Sequence, residues 1–585
     1  MIFTNLISNY FQKKKLLVLT FFTVTIIDSF IALFSVLTLV PVIQFMTSEN
    51  SDTSVEALEY YFKILSKLGI EFNLVSSLLI FLTFTILSSI SSVILFYISR
   101  LNGYSIVYQL RSWAILKFYE QGLNFINGYT FGIMQNTFEK ELEKVADSIF
   151  SVMQLISVFI FSIMMLSFSL SLSSQMTSII LVSFILIAFI SSLIGKQISA
   201  LSTKTVDTAN LLSNKLYSPM LNAKNILSFA REKWAHDIHK QAFKNHSRAA
   251  INSQTLTFIL PESFKTLSII VAIIALFYSL SKGESLSLLL ATLAVFIRLL
   301  PKITNFSEAY AMIRQAMPSI LQYDMLFPKS NSNKSESTEK SIDKFKSSIN
   351  LENISFSYPT REKVLKNIDI KIKKNDFVTF VGHSGSGKTS CLDIIMGLYS
   401  PTSGVIQIDG YPLDQIRLES YLDNIGYVQQ DSVLLEGSLR DNLLWANPNA
   451  SDKEIWKTLE LVYIDDFIKS LPDDLDTQVG ERGVSLSGGQ KQRISLALAL
   501  VRSPEILILD EVTSSLDQES EKIILKSLKS LLNKMTIISV THKTLMAEHS
   551  DIIYVFDKGS IVQSGSYKNL IKSKGVFLNL MSGDS

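Results

Sequence analysis

Gly382-His383-Ser384-Gly385-Ser386-Gly387-Lys388-Thr389 follows an apolar run, Phe377–Val381, and precedes a helix-like stretch, Cys391–Leu398. The order is strand, glycine-rich loop and helix start, and the loop fits G-x-x-x-x-G-K-[ST]. Glycines let backbone N–H groups close around a phosphate, and the first turn of a helix favours an anion. In this pattern Lys388 reaches the outer phosphates of a nucleotide, and the Thr389 hydroxyl faces Mg2+. Downstream, Ile506-Leu507-Ile508-Leu509-Asp510-Glu511 reads as a buried strand ending in two acids. Asp510 sits where a strand tip can hold Mg2+, directly or through water. Glu511 beside it can polarise an attacking water as a general base.

Around these two stretches, short β-branched runs alternate with helical ones: Asp376–Val381, Gly404–Ile408, Ile425–Val428, Ile506–Leu509, Thr536–Val540 and Ile552–Phe556. That alternation predicts an α/β domain over 349–585. The stretch before it, 328–348, is rich in Ser, Lys, Asn and Glu and reads as a solvated linker.

Residues 1–327 have a different texture. The chain has 585 residues, too many for one compact core at roughly 150 per domain. Hydrophobic residues make up 48% and charged residues 18%, below the ~25% usual for a soluble chain. The mean hydropathy is +0.30. These values exclude a disordered chain, a collagen and an ordinary cytosolic enzyme. The net charge of +2 gives no bulk electrostatic case for nucleic acid. The single cysteine, Cys391, excludes a disulfide framework and a cysteine-based zinc site.

The apolar excess lies in the first half. Phe72–Ser99 and Ser148–Gly195 carry no charge, and a spanning helix needs about 20 apolar residues. Ser148–Gly195 accommodates two spans, with a polar hairpin near Ser171–Gln175. Six spans are expected, at about 16–46, 74–100, 147–171, 176–196, 254–281 and 285–307. The first is too long for a signal-peptide core and reads as retained. Lys13, Lys14 and Lys15 precede it, and segment 196–253 holds nine basic residues against three acids. By the positive-inside rule the N-terminus, 101–146, 196–253 and everything after 307 are cytoplasmic. The two inner segments are rich in helix formers, so spans two to five should continue as long helices beyond the bilayer. Their tips, near Asn124–Phe131 and Ser218–Asn225, are candidate contact points for another domain.

Leu486-Ser487-Gly488-Gly489-Gln490, followed by Lys491-Gln492-Arg493, is the signature of the ATP-binding cassette. The chain resembles the ABC transporter superfamily over its whole length, as a half-size exporter. The resemblance implies a membrane α-helical bundle of six spans with the type IV ABC exporter fold, plus an α/β P-loop ATP-binding cassette domain. It also implies an ATP hydrolase using ATP and Mg2+, multi-pass in the bacterial inner (cell) membrane, with its N-terminus and nucleotide-binding domain cytoplasmic.

Further matches follow in the family's order. Tyr358 resembles the aromatic that stacks on adenine. Gln430, in Tyr427-Val428-Gln429-Gln430-Asp431, resembles the switch glutamine that touches Mg2+ and water; Gln429 is its competitor, but the family places the glutamine directly before an acid. Thr477–Gly483 resembles the exporter-specific loop, Ser515-Leu516-Asp517 the segment coupling two sites, and His542 the γ-phosphate switch. Under this resemblance Glu511, His542 and Gln430 are catalytic, and Thr389, Gln430 and Asp510 hold the metal. Nucleotide contacts come from Tyr358, Gly382, Ser384, Gly385, Ser386, Gly387, Lys388, Thr389 and Ser390, and from Ser487, Gly488, Gly489, Gln490 and Asp517. In this family each ATP lies between the phosphate loop of one cassette and the signature of another. One cassette per chain therefore implies a dimer, a C2 homodimer or a pairing with a different chain.

The transported substrate is less legible. Asp28, Glu262, Lys265, Arg298 and Lys302 are charges within expected spans, where charges are costly. The basic ones could meet an anionic headgroup or diphosphate, or could simply pair or snorkel. Arg298-Leu299-Leu300-Pro301 resembles bacterial flippases for lipid-linked oligosaccharides. The expected substrate is a lipid-linked glycan or another amphipathic anionic lipid; small peptides and hydrophobic drugs are the alternative, and an ABC-fold gated channel the remote one. Partners are a second copy, membrane lipid and an amphipathic substrate.

Overall fold

The computed structural model describes residues 2–47, 63, 67, 73–284, 286–328, 340–358, 363–431, 433–480, 486–513, 518–573 and 575–582. The chain divides into two compact units, Met1–Ser330 and Asn331–Ser585.

The first unit is helical: α1 (Ile2–Lys13), α2 (Lys15–Leu37), α3 (Leu39–Thr47), α4 (Leu74–Glu120), α5 (Gly122–Ile126), α6 (Phe131–Asn136), α7 (Leu142–Leu172), α8 (Ser174–Leu221), α9 (Ala223–Ser228), α10 (Glu232–Ser281) and α11 (Leu286–Leu326). One turn of π-helix, Thr137–Glu141, joins α6 to α7. Among the described residues, five helical stretches are long and apolar enough to cross a bilayer: Lys15–Ile43, Leu74–Glu120, Phe131–Leu172, Glu232–Ser281 and Leu288–Leu326. The expected span at 176–196 falls on α8, where several side chains lie outside the described set. α4 has 47 residues and α10 has 50, so each is about 70–75 Å long against a ~30 Å hydrocarbon core.

Local chemistry sets the ends of these helices. Asn73 caps α4 reciprocally with Ser76: Ser76 N–H donates to Asn73 Oδ1 at 2.8 Å, and Asn73 N–H to Ser76 Oγ at 3.1 Å. Ser173 is the whole α7–α8 turn; its Oγ accepts from Met176 N–H at 3.2 Å and donates to Glu284 Oε2 at 2.6 Å. Many of the spans' hydroxyls bond back into their own helix, as Thr25 does to Phe21 O at 2.9 Å and Thr292 to Leu288 O at 2.8 Å. A few cross between helices, such as Ser202 with Ser253 at 3.1 Å.

The second unit contains β1 (Ser348–Ser357), β2 (Lys363–Lys373), β3 (Phe377–Gly382), β4 (Ser403–Ile408), β5 (Tyr411–Pro412), β6 (Ile425–Val428), β7 (Gly437–Ser438), β8 (Gln478–Val479), β9 (Ile506–Asp510), β10 (Thr536–Val540), β11 (Ile552–Asp557) and β12 (Ser560–Gly565). The main sheet runs β12-β11-β3-β10-β9-β6, and a smaller antiparallel one runs β2-β1-β4-β5. Every residue of β3, β9 and β10 is buried, as parallel strands covered on both faces require. Helices α12 (Lys388–Ile395), α13 (Gly488–Leu500) and α14 (Gln518–Leu531) matter most for the site.

Three details differ from the sequence reading. First, α12 begins at Lys388 and ends at Ile395, rather than spanning 391–398. Gly397, at φ +71°, ends it: Gly397 N–H bonds Ile394 O and Leu398 N–H bonds Asp393 O. Second, the chain expected to be solvated linker up to 348 is tied down from Lys340 onward. Ile342 and Phe345 are buried, and Phe345 N–H and Ile342 O both bond the Asn424 side chain. Two apolar side chains in a polar run suffice to dock it. Third, β1, β2 and β12 were not singled out: polar and charged residues dilute the half-buried alternation of β1 and β2, and β12 has only two apolar residues, Ile561 and Val562.

Candidate active site

Strands β3, β10, β9 and β6 lie side by side and parallel, with Val540 opposite Asp510 and Val428 opposite Leu509. Their C-terminal ends share one edge of the sheet, the edge where open α/β sheets bind ligands. The chain leaves β3 into the phosphate loop, β9 into Glu511, β10 toward His542 and β6 toward Gln430. Four segments spread over more than a hundred residues thus meet at one edge.

Glu511 is the junction. Gln430 Nε2 donates to Glu511 Oε2 at 2.9 Å, and His542 Nε2 lies 3.0 Å from Glu511 Oε1. Glu511 has φ +49°, a left-handed conformation costing a side-chain-bearing residue about 1–2 kcal/mol. Its N–H still continues the ladder, to Val540 O at 3.0 Å. Strain held at a strand tip is typical of functional positions.

In the phosphate loop, Gly387 adopts φ +103°, and a Cβ there would lie 2.6 Å from Leu365 Cδ2. The left-handed backbone favours glycine, and the missing Cβ lets the loop pack closely against β2. Lys388 is buried and donates to Gly382 O at 2.8 Å and His383 O at 3.0 Å. Burial pushes its ammonium pKa down, against the pull of Glu511 and Asp510. Thr389 Oγ1 donates to Asp510 Oδ1 at 3.3 Å. Burial raises the Asp510 carboxyl, and the Glu511 charge adds to the rise. Burial and neighbouring Asp510 push Asp393 up to about 6. Crowded carboxylates beside a hydroxyl are hard oxygen donors whose mutual repulsion a divalent cation relieves, so Thr389 and Asp510 fit Mg2+. Among the described residues Ser386 Oγ is buried without a hydrogen-bond partner, a donor available to a phosphate oxygen.

The remaining expected residues are placed as follows. Tyr358 is half-buried; its hydroxyl shares a 3.0 Å hydrogen bond with Ser390 Oγ, and Phe356 and Tyr399 stand edge-on to its ring. The signature forms the first turn of α13. Ser487 Oγ accepts from Gln490 N–H at 3.3 Å, and Gln490 Oε1 accepts from Ser487 N–H at 2.8 Å. Among the described residues no hydrogen bond or ion pair joins this turn to the phosphate loop. Asp517 and residues 481–483 lie outside the described residues. Asp393 was not foreseen, because a helical acid facing the site has no signature of its own.

Comparisons with known proteins add to this geometry. The family described as ABC transporter matches residues 365–514, and the ABC transporter transmembrane region matches 18–301. The chain belongs to the ABC transporter family. A multidrug resistance ABC transporter ATP-binding and permease protein of Lactococcus lactis subsp. lactis (strain IL1403) is 37% identical over 244 residues, 42% of this chain and 41% of that protein. A protein of the same description from subsp. cremoris (strain MG1363) is 36% identical over 243 residues, 41% of each chain. The chain thus aligns with about two fifths of the length of these relatives. A solved structure of a bacterial Atm1-family ABC exporter with ATP bound superposes with TM-score 0.82 at 21% identity, over 96% of this chain and 97% of that one. The fold is the type IV ABC exporter fold, with a helical membrane domain and an ABC nucleotide-binding domain in one multi-pass chain.

Within this ABC transporter's membrane unit, the charges in the expected spans separate into two groups. Lys265 and Glu262 pair with each other at 3.6 Å on α10, half exposed. Asp28, Arg298 and Lys302 belong together. Asp28 is buried and its Oδ1 accepts from Ser92 Oγ at 3.3 Å. Arg298 donates to Ser35 Oγ at 2.8 Å and Ser88 Oγ at 3.4 Å, and Lys302 Nζ sits 4.5 Å from the Phe161 ring centroid.

A second polar cluster was not anticipated from the sequence. Glu141, on the π turn, has a side chain 1% exposed. It accepts from Lys144 at 2.9 Å, from Asn136 at 3.2 Å and from Ser319 at 2.5 Å. Asn136 also donates to Asn210, Asn210 to Gln322 at 2.9 Å, and Gln322 to Thr137 at 2.6 Å. The network ties α6, the π turn, α8 and α11 together. A π turn commonly marks a functional position in a helix.

Proposed function

We propose that this chain is an ATP-driven exporter or lipid flippase, working as a homodimer by alternating access, with ATP hydrolysed at two sites between the cassettes. The observation that carries the reading is Glu511, whose two carboxylate oxygens meet Gln430 and His542 beside the phosphate loop. A carboxylate so held lies near enough to Lys388 for their charges to interact, beside the loop where a terminal phosphate would lie. In this reading Lys388 and the loop N–H groups hold the phosphates and Tyr358 stacks on the base. Glu511 takes a proton from the attacking water, Gln430 orients that water, and His542 positions the carboxylate and the terminal phosphate. Thr389, Asp510 and Gln430 hold Mg2+, which neutralises phosphate charge when bound. Ser487, Gly488, Gly489 and Gln490, at the exposed start of α13, serve the nucleotide of the second copy. Asp517 belongs to the coupling segment. ATP then drives the cycle because it binds the closed cassette pair better than the open one; only such a difference shifts the equilibrium.

The substrate reading rests on Asp28, Arg298 and Lys302: two cations and one anion inside the spans leave one positive charge for an anionic headgroup. A lipid-linked glycan or another amphipathic anionic lipid fits that chemistry. Hydrophobic drugs are the second reading, favoured by the multidrug descriptions of the relatives. The discriminating measurement is ATPase activity of the purified protein in lipid nanodiscs with lipid-linked glycans, peptides or cationic drugs added. Stimulation by glycan lipid, lost in Arg298→Ala, supports the first reading; stimulation by cationic drugs alone removes it.

A further inference from the structure

The turn that carries His542 is anchored on both sides. Thr541 is buried and continues the sheet past β10, its N–H donating to Phe380 O at 3.2 Å. Lys543 N–H donates back to Thr541 Oγ1 at 3.0 Å, which closes the turn around His542. The His542 side chain itself is 37% exposed, so packing does not fix it; the backbone on either side has to. A shift of that backbone moves Nε2 away from Glu511 Oε1, from which it lies 3.0 Å.

What holds Lys543 belongs to another element. Its ammonium donates to Glu521 Oε2 at 3.0 Å. Glu521 is in the first turn of α14, and its side chain is 5% exposed, against 30% for Lys543. It stands on the buried side of that helix with Ile524, Leu525, Leu528 and Leu531. Met546, three residues past Lys543, is part of the same apolar cluster as those four. The His542 turn and α14 therefore share one core, and the ion pair joins them directly.

A carboxylate in such a place does little for stability. Taking two charges out of water costs about as much as their attraction returns, unless every lone pair is satisfied. Glu521 Oε1 is buried and, among the described residues, has no hydrogen-bond partner. An apolar pair of similar size would hold the two segments together at least as well. What the ion pair adds is direction: a charge-assisted hydrogen bond fixes where Lys543 sits along α14, which an apolar contact leaves loose.

We propose, on the reading of Glu511 and His542 given above, that Glu521 and Lys543 are positioning residues for ATP hydrolysis. Their ion pair fixes the His542 turn to the start of α14, so that the imidazole stays on Glu511. Neither residue touches the reacting atoms; both act through His542.

ATPase kinetics, binding of a fluorescent ATP analogue and thermal unfolding of the full-length protein in detergent test this. Glu521→Leu/Lys543→Met replaces the ion pair by an apolar one. The expected result is a melting temperature no lower than that of the wild type, unchanged nucleotide affinity and KM, and kcat lowered about tenfold by the displaced imidazole. Lys543→Arg keeps the charge and the reach, and should keep kcat within about twofold of the wild type. If the double variant does not fold, Glu521→Ala, which leaves the partly exposed Lys543 to reach water, carries the same expectation for kcat per nucleotide-binding molecule. Wild-type kcat in the variant that lacks the pair overturns the proposal. So does a loss of kcat matched by a loss of nucleotide affinity or melting temperature, which is what a merely structural pair would give. Glu511→Gln is measured alongside. If it retains turnover, the hydrolytic reading falls and the positioning role with it; if it loses turnover while the pair variants do not, only the positioning role falls.

Discussion

The two units hold their polar side chains in opposite ways. In the cassette unit, backbone geometry does the positioning: four adjacent parallel strands end on one edge, and the residues just past their tips converge. In the membrane unit, side chains do it. Glu141 and Asn136, Asn210, and Gln322 and Ser319 come together from three separate helical stretches, with cross-helix partners 74 to 178 residues apart in the chain. A strand-edge site is spelled by runs of consecutive residues. An interhelical network is spelled by single residues with no fixed spacing.

The sharpest way to break the cassette side of this contrast is Glu511→Gln. It should retain ATP binding, lower ATPase turnover about 10³-fold and accumulate closed dimer with Mg-ATP on size exclusion. Near-normal turnover would remove Glu511 from the catalytic role. The membrane side is tested by Glu141→Leu, which deprives Asn136 and Ser319 of a buried acceptor. We expect a loss of about 2–4 kcal/mol, below the full cost of a broken buried pair because Lys144 remains a third exposed. The readout is thermal unfolding in detergent with nucleotide binding preserved; an unchanged melting temperature would mean the network holds nothing.

Gly387→Ala sharpens the claim that backbone geometry builds the phosphate loop. Forcing a Cβ at φ +103° against Leu365 should cost about 1–3 kcal/mol and weaken binding of a fluorescent ATP analogue. Gly103→Ala on α4 is the control, since nothing lies within 4 Å of its added Cβ and its backbone is helical; an equal loss in both variants would defeat the geometric argument. The smallest effect is expected from Ser487→Ala. Loss of the α13 cap should cost about 1 kcal/mol, seen as a small downward shift of the cassette melting temperature.

Most of the cassette's local elements around its motifs were legible before any coordinates, because each motif is local: Gly382–Thr389, Ile506–Glu511 and Leu486–Gln490 each carry their own structural context. The helices of the membrane unit were legible for another reason. A bilayer demands long apolar runs whatever their order. Less visible were weakly patterned elements, such as β1 and β2, and the docking of the chain after Lys340 through Ile342 and Phe345.

The sequence by itself determined that Gly382–Thr389 has the pattern of a phosphate-cradling loop between a strand and a helix, and that the first half of the chain carries long apolar runs suited to lipid. Both follow from short-range rules, phosphate geometry in one case and the cost of unsatisfied backbone in hydrocarbon in the other. Only the tertiary structure decided that Gln430 and His542 both meet Glu511, that Glu141 is buried among polar side chains from several helices, and that α1 packs against the bundle. Those depend on strand order and helix packing, where contacts form between residues whose separation along the chain carries no signal.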